Sequence, residues 1–327
     1  MADWVLAKPD IVRRAWEAGI VIPAFNVPFL PMLEPVVQAV VDQDAFALIE
    51  TARIEWQKFE CYGPAAVAEA FARFAVPGYV RLHLDHVPVI DEDDLEVDFL
   101  PIIRRAIELG YDSVMVDGSK LELDENIAAT RAAVELAHEA GIPCEAELGA
   151  ILREGAGPLP PYEELFESGM GFTDVDQAEH FVKETGCDWL SVAVGNLHGA
   201  VSKAAKDLKK TEALLDLDRL GELREATGVP LVLHGGSGVP GAYILAGVQR
   251  GIAKINVATE IRQAFEEGLR TGGGLEAGKN AVYERTLTLL KDDFRVAGLR
   301  QVLEAPSKSE LGTNPDLRSH PELWGSL

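Results

Sequence analysis

Three short segments of the chain each carry a histidine close to the end of an apolar run, where a buried strand would finish. The segments are RLHLDHVP at 81–88, GNLHG at 195–199 and LHGGSG at 233–238, and their strand-end histidines are His86, His198 and His234. Three imidazoles that converge on one point can hold a divalent ion, for which zinc is the first expectation. Any one of these histidines alone would be explained more simply by a hydrogen bond to the backbone.

Polar residues also follow the other apolar runs. Asp85 directly precedes His86, Asp117 and Ser119 follow the run SVMV, and Glu145 and Glu147 lie in EAELG. A positioned carboxylate can move a proton, so a metal site with acid–base groups beside it is expected. The loop HGGSGVPG after 233 can offer backbone N–H groups to an anion such as phosphate, although a glycine-rich loop alone is usually just a turn.

The segments that must position these residues alternate between two patterns of apolar residues, one typical of strands and one typical of helices. Eight short apolar or β-branched runs predict strands at 21–27, 46–52, 80–86, 113–118, 143–149, 189–195, 231–236 and 253–259. Segments between them, such as 99–109 and 125–141, repeat their apolar residues every three or four positions and predict helices. This order favours a closed α/β (β/α)₈ TIM barrel, with a doubly wound open sheet as the alternative. In such a barrel the carboxyl ends of all the strands meet at one face, which would bring the polar residues together.

Composition narrows the class of protein. The 327 residues include 53 acidic and 30 basic side chains, for a formal charge of −23, which opposes binding to nucleic acid or to an anionic membrane. We find no membrane segment and expect a cytoplasmic protein. Its three cysteines are odd in number and far apart, so we expect small buried hydrophobes. One barrel domain over 1–327, with an irregular tail from about 305, is expected.

In their order and approximate spacing, PAFNV, HLDH, SVMVDGS, EAELG, GNLHG, LHGGSG and KINVATE resemble the class II, metal-dependent fructose-bisphosphate and tagatose-bisphosphate aldolases. The resemblance runs from about residue 8 to about 270. It implies that His86, His198 and His234 bind zinc, that Glu147 can face the metal, and that Asp85 is the acid/base at the C4 hydroxyl. It also implies binding of a phosphorylated ketose and dihydroxyacetone phosphate, and a homodimer or homotetramer. The residues matching the substrate-binding positions are Asn26, Gly199, Gly235, Ser237, Asn256 and Thr259.

Several assignments stay open at this point. Glu154 matches the family's proton donor at C3, but a solvated loop glutamate explains it equally well. Asp117 and Ser119 suit either a monovalent cation near the zinc or ordinary turn chemistry. His83 shares strand parity with Asp85 and is expected to be a buried, hydrogen-bonded core histidine. Lys254 could form an iminium with a ketone, although a salt-paired lysine is the simpler account.

The chain departs from the family at the substrate end. Ser202 stands where a lysine is common, with Lys203 one position later, and the segment TARIEWQKFECYG, which contains Arg53 and Trp56, replaces a small serine-containing loop. The donor half of the substrate therefore resembles the family's, while the aldehyde half can differ. Alternatives are a related zinc lyase with another aldehyde half and a non-catalytic partner subunit of an aldolase.

Overall fold

Eight parallel strands form a closed barrel in this protein. The computed structural model describes residues 8–149, 162–196, 214–236 and 239–305. The strands pair in chain order, and the first pairs with the last, which confirms the (β/α)₈ barrel and excludes the open sheet. They are β1 Ile22–Asn26, β2 Ala47–Ala52, β3 Val80–Pro88, β4 Ser113–Asp117, β5 Cys144–Leu148, β6 Trp189–Val192, β7 Leu231–Leu233 and β8 Ile252–Val257.

Helices lie around the barrel between the strands. Those in the described residues are α1 Ile11–Ala18, α2 Leu33–Asp42, α3 Arg53–Lys58, α4 Pro64–Phe74, α5 Phe99–Glu108, α6 Leu123–Glu139, α7 Tyr162–Ser168, α8 Val175–Thr185, α9 Leu217–Thr227, α10 Gly241–Gln249, α11 Thr259–Gly268 and α12 Gly274–Thr288. Their apolar faces pack on the outward-facing strand residues in one large buried cluster. Strands covered by helices on the outside and by side chains on the inside are buried on both faces, which explains their near-continuous apolar runs.

The amino-terminal end of the barrel is filled by apolar side chains and covered by α1. Asp10 caps this helix by accepting hydrogen bonds from the N–H groups of Val12 and Arg13. Both carboxylate oxygens of Asp10 also lie 3.0 Å from Nε1 of the buried Trp189 in β6. Helix α1 packs its buried face on Ile22, Leu48, Trp189 and Val232 inside the barrel. This end is therefore closed, and chemistry is left to the opposite face.

The predicted strands are confirmed, with differences at their ends. Strand β3 continues to Pro88 rather than stopping at 86, because the chain bulges at His86 and then pairs with β4 again. Strand β7 stops at Leu233 rather than 236, so His234 and Gly235 lie in the loop that follows. Most of the tail predicted from about 305 lies outside the described residues.

Two smaller findings bear on the class of protein. Cys61, Cys144 and Cys187 are buried and free of disulfides, as the sequence predicts. In the part of the chain that the structure describes, no helix combines the length and the apolar character needed to span a membrane.

Candidate active site

A bulge in β3 brings two consecutive residues to one site. Side chains alternate along a regular strand, so Asp85 and His86 would normally face opposite sides of the sheet. The register between β3 and β4 shifts between Leu84 and Val87, and His86 has a φ of +31°. Bulges re-aim side chains in this way next to functional sites. As a result, ligand atoms of Asp85, His86 and His234 lie within 4.8 Å of one another.

Two of the three predicted metal histidines meet at the carboxyl end of the barrel. Nε2 of His86 lies 2.6 Å from Nδ1 of His234, and the two rings are perpendicular with centroids 4.4 Å apart. His234 is 1% exposed and follows β7 directly. The third predicted ligand, His198, lies outside the described residues.

Two carboxylates face the other nitrogen of His86. Its Nδ1 lies 3.2 Å from Asp117 Oδ2 and 3.7 Å from Glu147 Oε2. The same Glu147 oxygen is 3.9 Å from His234 Nδ1 and, among the described residues, has no hydrogen-bond partner. Burial, together with the charge of Asp117, raises the pKa of Glu147 well above its usual range. A buried carboxylate oxygen beside two imidazoles suits a cation.

The site favours a positive charge between the two histidines. Burial lowers the pKa of His86, but Asp85, Asp117 and Glu147 outweigh burial and raise it well above the usual range. Burial and the neighbouring His86 lower the pKa of His234. A positive charge is therefore favoured at the two facing nitrogens of His86 and His234, which could bind one cation. These residues fit a divalent ion with nitrogen and oxygen ligands, such as zinc.

Asp85 is held in a fixed orientation by two amides. Asn26 Nδ2 donates to one carboxylate oxygen at 2.8 Å, and Asn256 Nδ2 donates to the other at 2.9 Å. Burial raises the pKa of Asp85, but the positive histidine and lysine neighbours outweigh it and hold this pKa below its usual range. An ionised carboxylate that is fixed on both oxygens is well placed to accept a proton from a bound hydroxyl.

Below this level the barrel interior holds a buried ion-pair cluster. Lys254 Nζ lies 2.8 Å from Glu50 Oε1 and 2.9 Å from Glu145 Oε2, and all three side chains are 0% exposed. His83 packs beside them, with Nδ1 2.8 Å from Ser113 Oγ, as expected for a hydrogen-bonded core histidine. Burial lowers the pKa of Lys254, but the carboxylates outweigh it and raise this pKa above the usual range. The salt-paired account of Lys254 fits, because a buried ammonium ion is a poor nucleophile.

Some of the remaining predicted site residues lie in the described part of the chain, and the others lie outside it. Gly235, with a φ of +65°, directly follows His234, and Thr259 begins α11 two residues after β8 ends. Asp117 Oδ1 accepts from the N–H and hydroxyl of Ser119, which fits the turn chemistry that the sequence left open. Outside the described residues lie Glu154, His198, Gly199, Ser202, Lys203 and Ser237.

The family follows from a comparison with protein-family models. The model for class II fructose-bisphosphate aldolase matches residues 8–302. The chain belongs to this family. Membership of the class II aldolases supports a lyase and, since the family is generally metal-dependent, a metal site among the His, Asp and Glu groups described above.

Relatives of this aldolase-family chain include a bacterial and a fungal protein. It is 43% identical over 178 residues to the uncharacterized protein YdjI of Escherichia coli K12, a match covering 54% of this chain and 59% of that protein. The crystal structure of the YdjI aldolase superposes with a TM-score of 0.71 at 30% identity, covering 89% of this chain and 99% of that one. A putative fructose-1,6-bisphosphate aldolase from Coccidioides immitis gives a TM-score of 0.69 at 27% identity, covering 89% and 96%.

Sequence reasoning misses two features in and below the aldolase-family site. The run FALIETA predicts an apolar strand, whereas its Glu50 lies in the barrel interior below the site, against Lys254. The sequence predicts that Asn26 and Asn256 hold substrate, but it does not predict their contacts with Asp85. The available signal was a set of charged or amide residues at alternate positions of buried strands, such as Lys254 and Asn256, since alternate side chains share one face.

Proposed function

We propose that this protein is a zinc-dependent aldolase that reversibly cleaves a ketose phosphate, such as fructose 1,6-bisphosphate, to dihydroxyacetone phosphate and an aldehyde. One observation carries the proposal: the fixed carboxylate of Asp85 lies beside the facing imidazole nitrogens of His86 and His234. An acid/base and a metal-binding pair in one buried site are what this reaction requires.

His86 and His234 would hold the ion together with His198 and, in an alternative position, Glu147. Zinc bound there supplies a Lewis acid that stabilises the negative charge left beside the ketone when the C3–C4 bond breaks. The rest of the chemistry belongs to side chains of this protein.

Asp85 takes the proton of the C4 hydroxyl in the cleavage direction. The O–H electron pair then forms the aldehyde carbonyl, the C3–C4 bond breaks, and its electrons stay on the donor half. A second group must return a proton to C3, and Glu154 is the residue proposed for this step. In the synthesis direction the same groups work in reverse.

Binding of the donor half is proposed for residues that come at or after the ends of β1, β6, β7 and β8 in the sequence. Gly235 can bring its backbone close to an anion, and the N-terminus of α11 at Thr259 favours negative charge. The other residues proposed for this half are Asn26, Gly199, Ser237 and Asn256.

Fructose and tagatose bisphosphates share one aldehyde half, and the segment after β2 bears on whether this protein uses that half or another. Helix α3 replaces the small loop after β2, and Arg53 at its start donates to Asp91 Oδ2 at 3.1 Å. Because Asp91 already neutralises this guanidinium, the rim differs from one with an unpaired cation for a second phosphate. This observation supports the related lyase with another aldehyde half as the second candidate. The presence of Asp85, His86 and His234 disfavours a non-catalytic partner subunit.

Hydrogen exchange at the donor half tests the metal mechanism. We would follow deuterium exchange at the hydroxymethyl carbon of dihydroxyacetone phosphate, which becomes C3 of the ketose, with and without a chelator and in His198→Ala. Exchange should stop on zinc removal and return on zinc addition. Exchange that persists without metal, together with borohydride trapping at Lys254, would replace zinc by an iminium route.

An aldehyde panel in the synthesis direction would then name the acceptor. Fructose, tagatose and other products are distinguished by their stereochemistry at the new bond.

We also propose a cytoplasmic homodimer or homotetramer with a single barrel domain, and light scattering of the purified protein would test the oligomeric state.

A further inference from the structure

Lys254 lies at the junction of two hydrogen-bonded chains that lead to different parts of the candidate site. Its ammonium group lies 2.6 Å from Asn256 Oδ1, 2.9 Å from Glu145 Oε2 and 2.8 Å from Glu50 Oε1. The side chain is fully buried in β8, among the largest side chains of the barrel interior. The first two partners each touch a residue of the candidate site, whereas Glu50 makes no described hydrogen bond to Asp85 or His234.

The first chain sets the direction of the Asn256 amide. An ammonium group can only donate hydrogen bonds, so Asn256 must turn its oxygen toward Lys254. Its NH₂ group then points to Asp85, where Nδ2 donates to Oδ1 at 2.9 Å. If the amide were flipped, its oxygen would face the carboxylate and repel it. Lys254 therefore fixes one of the two donors that orient Asp85.

The second chain sets the tautomer of His234. Glu145 accepts from Lys254 through Oε2, and its Oε1 lies 2.7 Å from His234 Nε2. An ionised carboxylate can only accept, so Nε2 carries a hydrogen and Nδ1 presents its lone pair toward His86. A carboxylate behind a metal-binding histidine fixes the ring and raises its basicity. The ion pair with Lys254, at 2.9 Å, favours the ionised form of Glu145.

We propose that Lys254 is a positioning residue that sets two groups at once: the orientation of Asp85 through Asn256, and the metal-binding nitrogen of His234 through Glu145. This inference rests on the proposed function, since it takes Asp85 as the acid/base and His234 as a zinc ligand. Lys254 itself touches neither substrate nor metal. A purely structural ion pair would stabilise the fold without orienting Asp85 or selecting the metal-binding nitrogen of His234.

Lys254→Met tests the inference with two separate readouts. The first is zinc affinity, measured by competition with a chromophoric chelator, and we expect it to fall about 10-fold to 100-fold because Glu145 loses its cation. The second is the ratio of carbon–carbon bond formation to hydrogen exchange on dihydroxyacetone phosphate, at saturating zinc. Asp85 serves the aldehyde oxygen and is not needed for exchange, so this ratio should fall roughly 10-fold or more.

Two further variants distinguish the effects of the two hydrogen-bonded chains that start at Lys254. Glu145→Gln should weaken zinc binding while leaving the ratio within about twofold of the wild type, since the link from Lys254 to Asn256 remains. Glu50→Gln is the matched control, because it makes the same chemical change on another partner of Lys254 and should leave both readouts within about twofold. If Lys254→Met does not accumulate as folded protein, Lys254→Gln removes the charge but keeps a polar group among the same partners.

The outcomes are distinct. Unchanged zinc affinity and an unchanged ratio in the Lys254 variants would overturn this inference and leave the proposed function standing. Synthesis and exchange that fall by the same factor, with zinc affinity intact, would show a structural role and also overturn it. A wild-type protein without zinc-dependent exchange would remove the proposed function and this inference with it.

Discussion

Asp85 and His86 are neighbours in the chain, yet their contacts differ, and so do the roles proposed for them. Asp85 has both oxygens bonded to amides, whereas His86 has one nitrogen facing His234 and the other facing carboxylates. The first environment keeps the Asp85 carboxylate ionised and in one orientation. The second favours a positive charge. These contacts, more than residue type, are why we propose proton transfer for Asp85 and metal binding for His86.

Replacement of Asp85 should stop turnover without removing the metal. We expect Asp85→Asn to lower cleavage of fructose 1,6-bisphosphate, or of whichever ketose phosphate is the substrate, about 10²-fold to 10⁴-fold, because general acid–base catalysis contributes that much. Zinc content should stay near that of the wild type, as measured by elemental analysis. The comparison is His83→Gln, two residues earlier on the same strand, which should cost stability and only modest activity. Normal turnover in Asp85→Asn would contradict the assigned role.

Glu55 should make stability depend on pH. This carboxyl, 5% exposed in α3, has a pKa raised from 4.5 to about 8, mainly by burial, while a hydrogen bond from the N–H of Ala52 lowers it. The folded state therefore prefers protonated Glu55. Its contribution is complete below pH 4.5 and is lost as pH rises through about 8, at up to about 1.4 kcal/mol per pH unit in that window.

Urea unfolding at pH 6 and pH 9 checks this expectation. Glu55→Gln cannot ionise and keeps an acceptor for the Ala52 N–H, so its unfolding free energy should fall less between the two pH values than that of the wild type. Other groups titrate equally in both proteins. An identical fall in the two would show that Glu55 is ionised in the fold at pH 6.

At the scale of elements, the barrel has one closed end and one reactive end. Helix α1 and the apolar interior residues close the amino-terminal end, while the β3 bulge and the short β7 place polar groups at the other. Two other strands change from apolar to polar buried side chains along their length, from Leu48 to Glu50 in β2 and from Trp189 to Ser191 in β6. These two strands therefore contribute packing at one end and polar groups toward the other.

Loss of Asp10, which caps α1 and also accepts from the Trp189 indole, should cost more stability than loss of an ordinary helix cap. Asp10→Ala removes the N-cap of α1 and also the acceptor of the Trp189 indole, whereas Asp174→Ala removes only the cap of α8, on the Gln177 N–H. A cap is typically worth about 0.5–2 kcal/mol, and a further hydrogen bond about 1 kcal/mol. Denaturant unfolding should show the Asp10 variant to be about 1 kcal/mol less stable than the Asp174 variant. Equal losses would mean that the indole contact adds nothing.

At the scale of the whole molecule, zinc should stabilise the fold. The proposed ligands are His86 in β3, His234 in the loop after β7, and His198, which comes between β6 and α9 in the sequence, so a bound ion would link distant parts of the chain. A ligand that binds only the folded state at 100 times its dissociation constant adds about 2.7 kcal/mol. Thermal unfolding with zinc and with excess chelator should show this difference. His234→Ala should remove most of the zinc effect, and a shift that survives this change would place the ion elsewhere.

Sequence alone determined the order of eight strands, the barrel and most of the residues at its carboxyl end. Hydrophobic period is a local property, and strand ends meet at one face in any barrel of this class. The strand assignments hold to within a few residues, and Asp85, His86, Glu147 and His234 do come together. Family motifs supplied the expected roles.

Tertiary structure alone decided the contacts that distinguish those residues from one another. The β3 bulge lets consecutive side chains share one site, and the shift depends on pairing with β4 rather than on local sequence. The contacts of Lys254 with Glu50 and Glu145 join three strands, so no spacing within one segment could predict them. Local patterns predict elements because their causes are local, whereas charge pairing depends on distances between residues far apart in sequence.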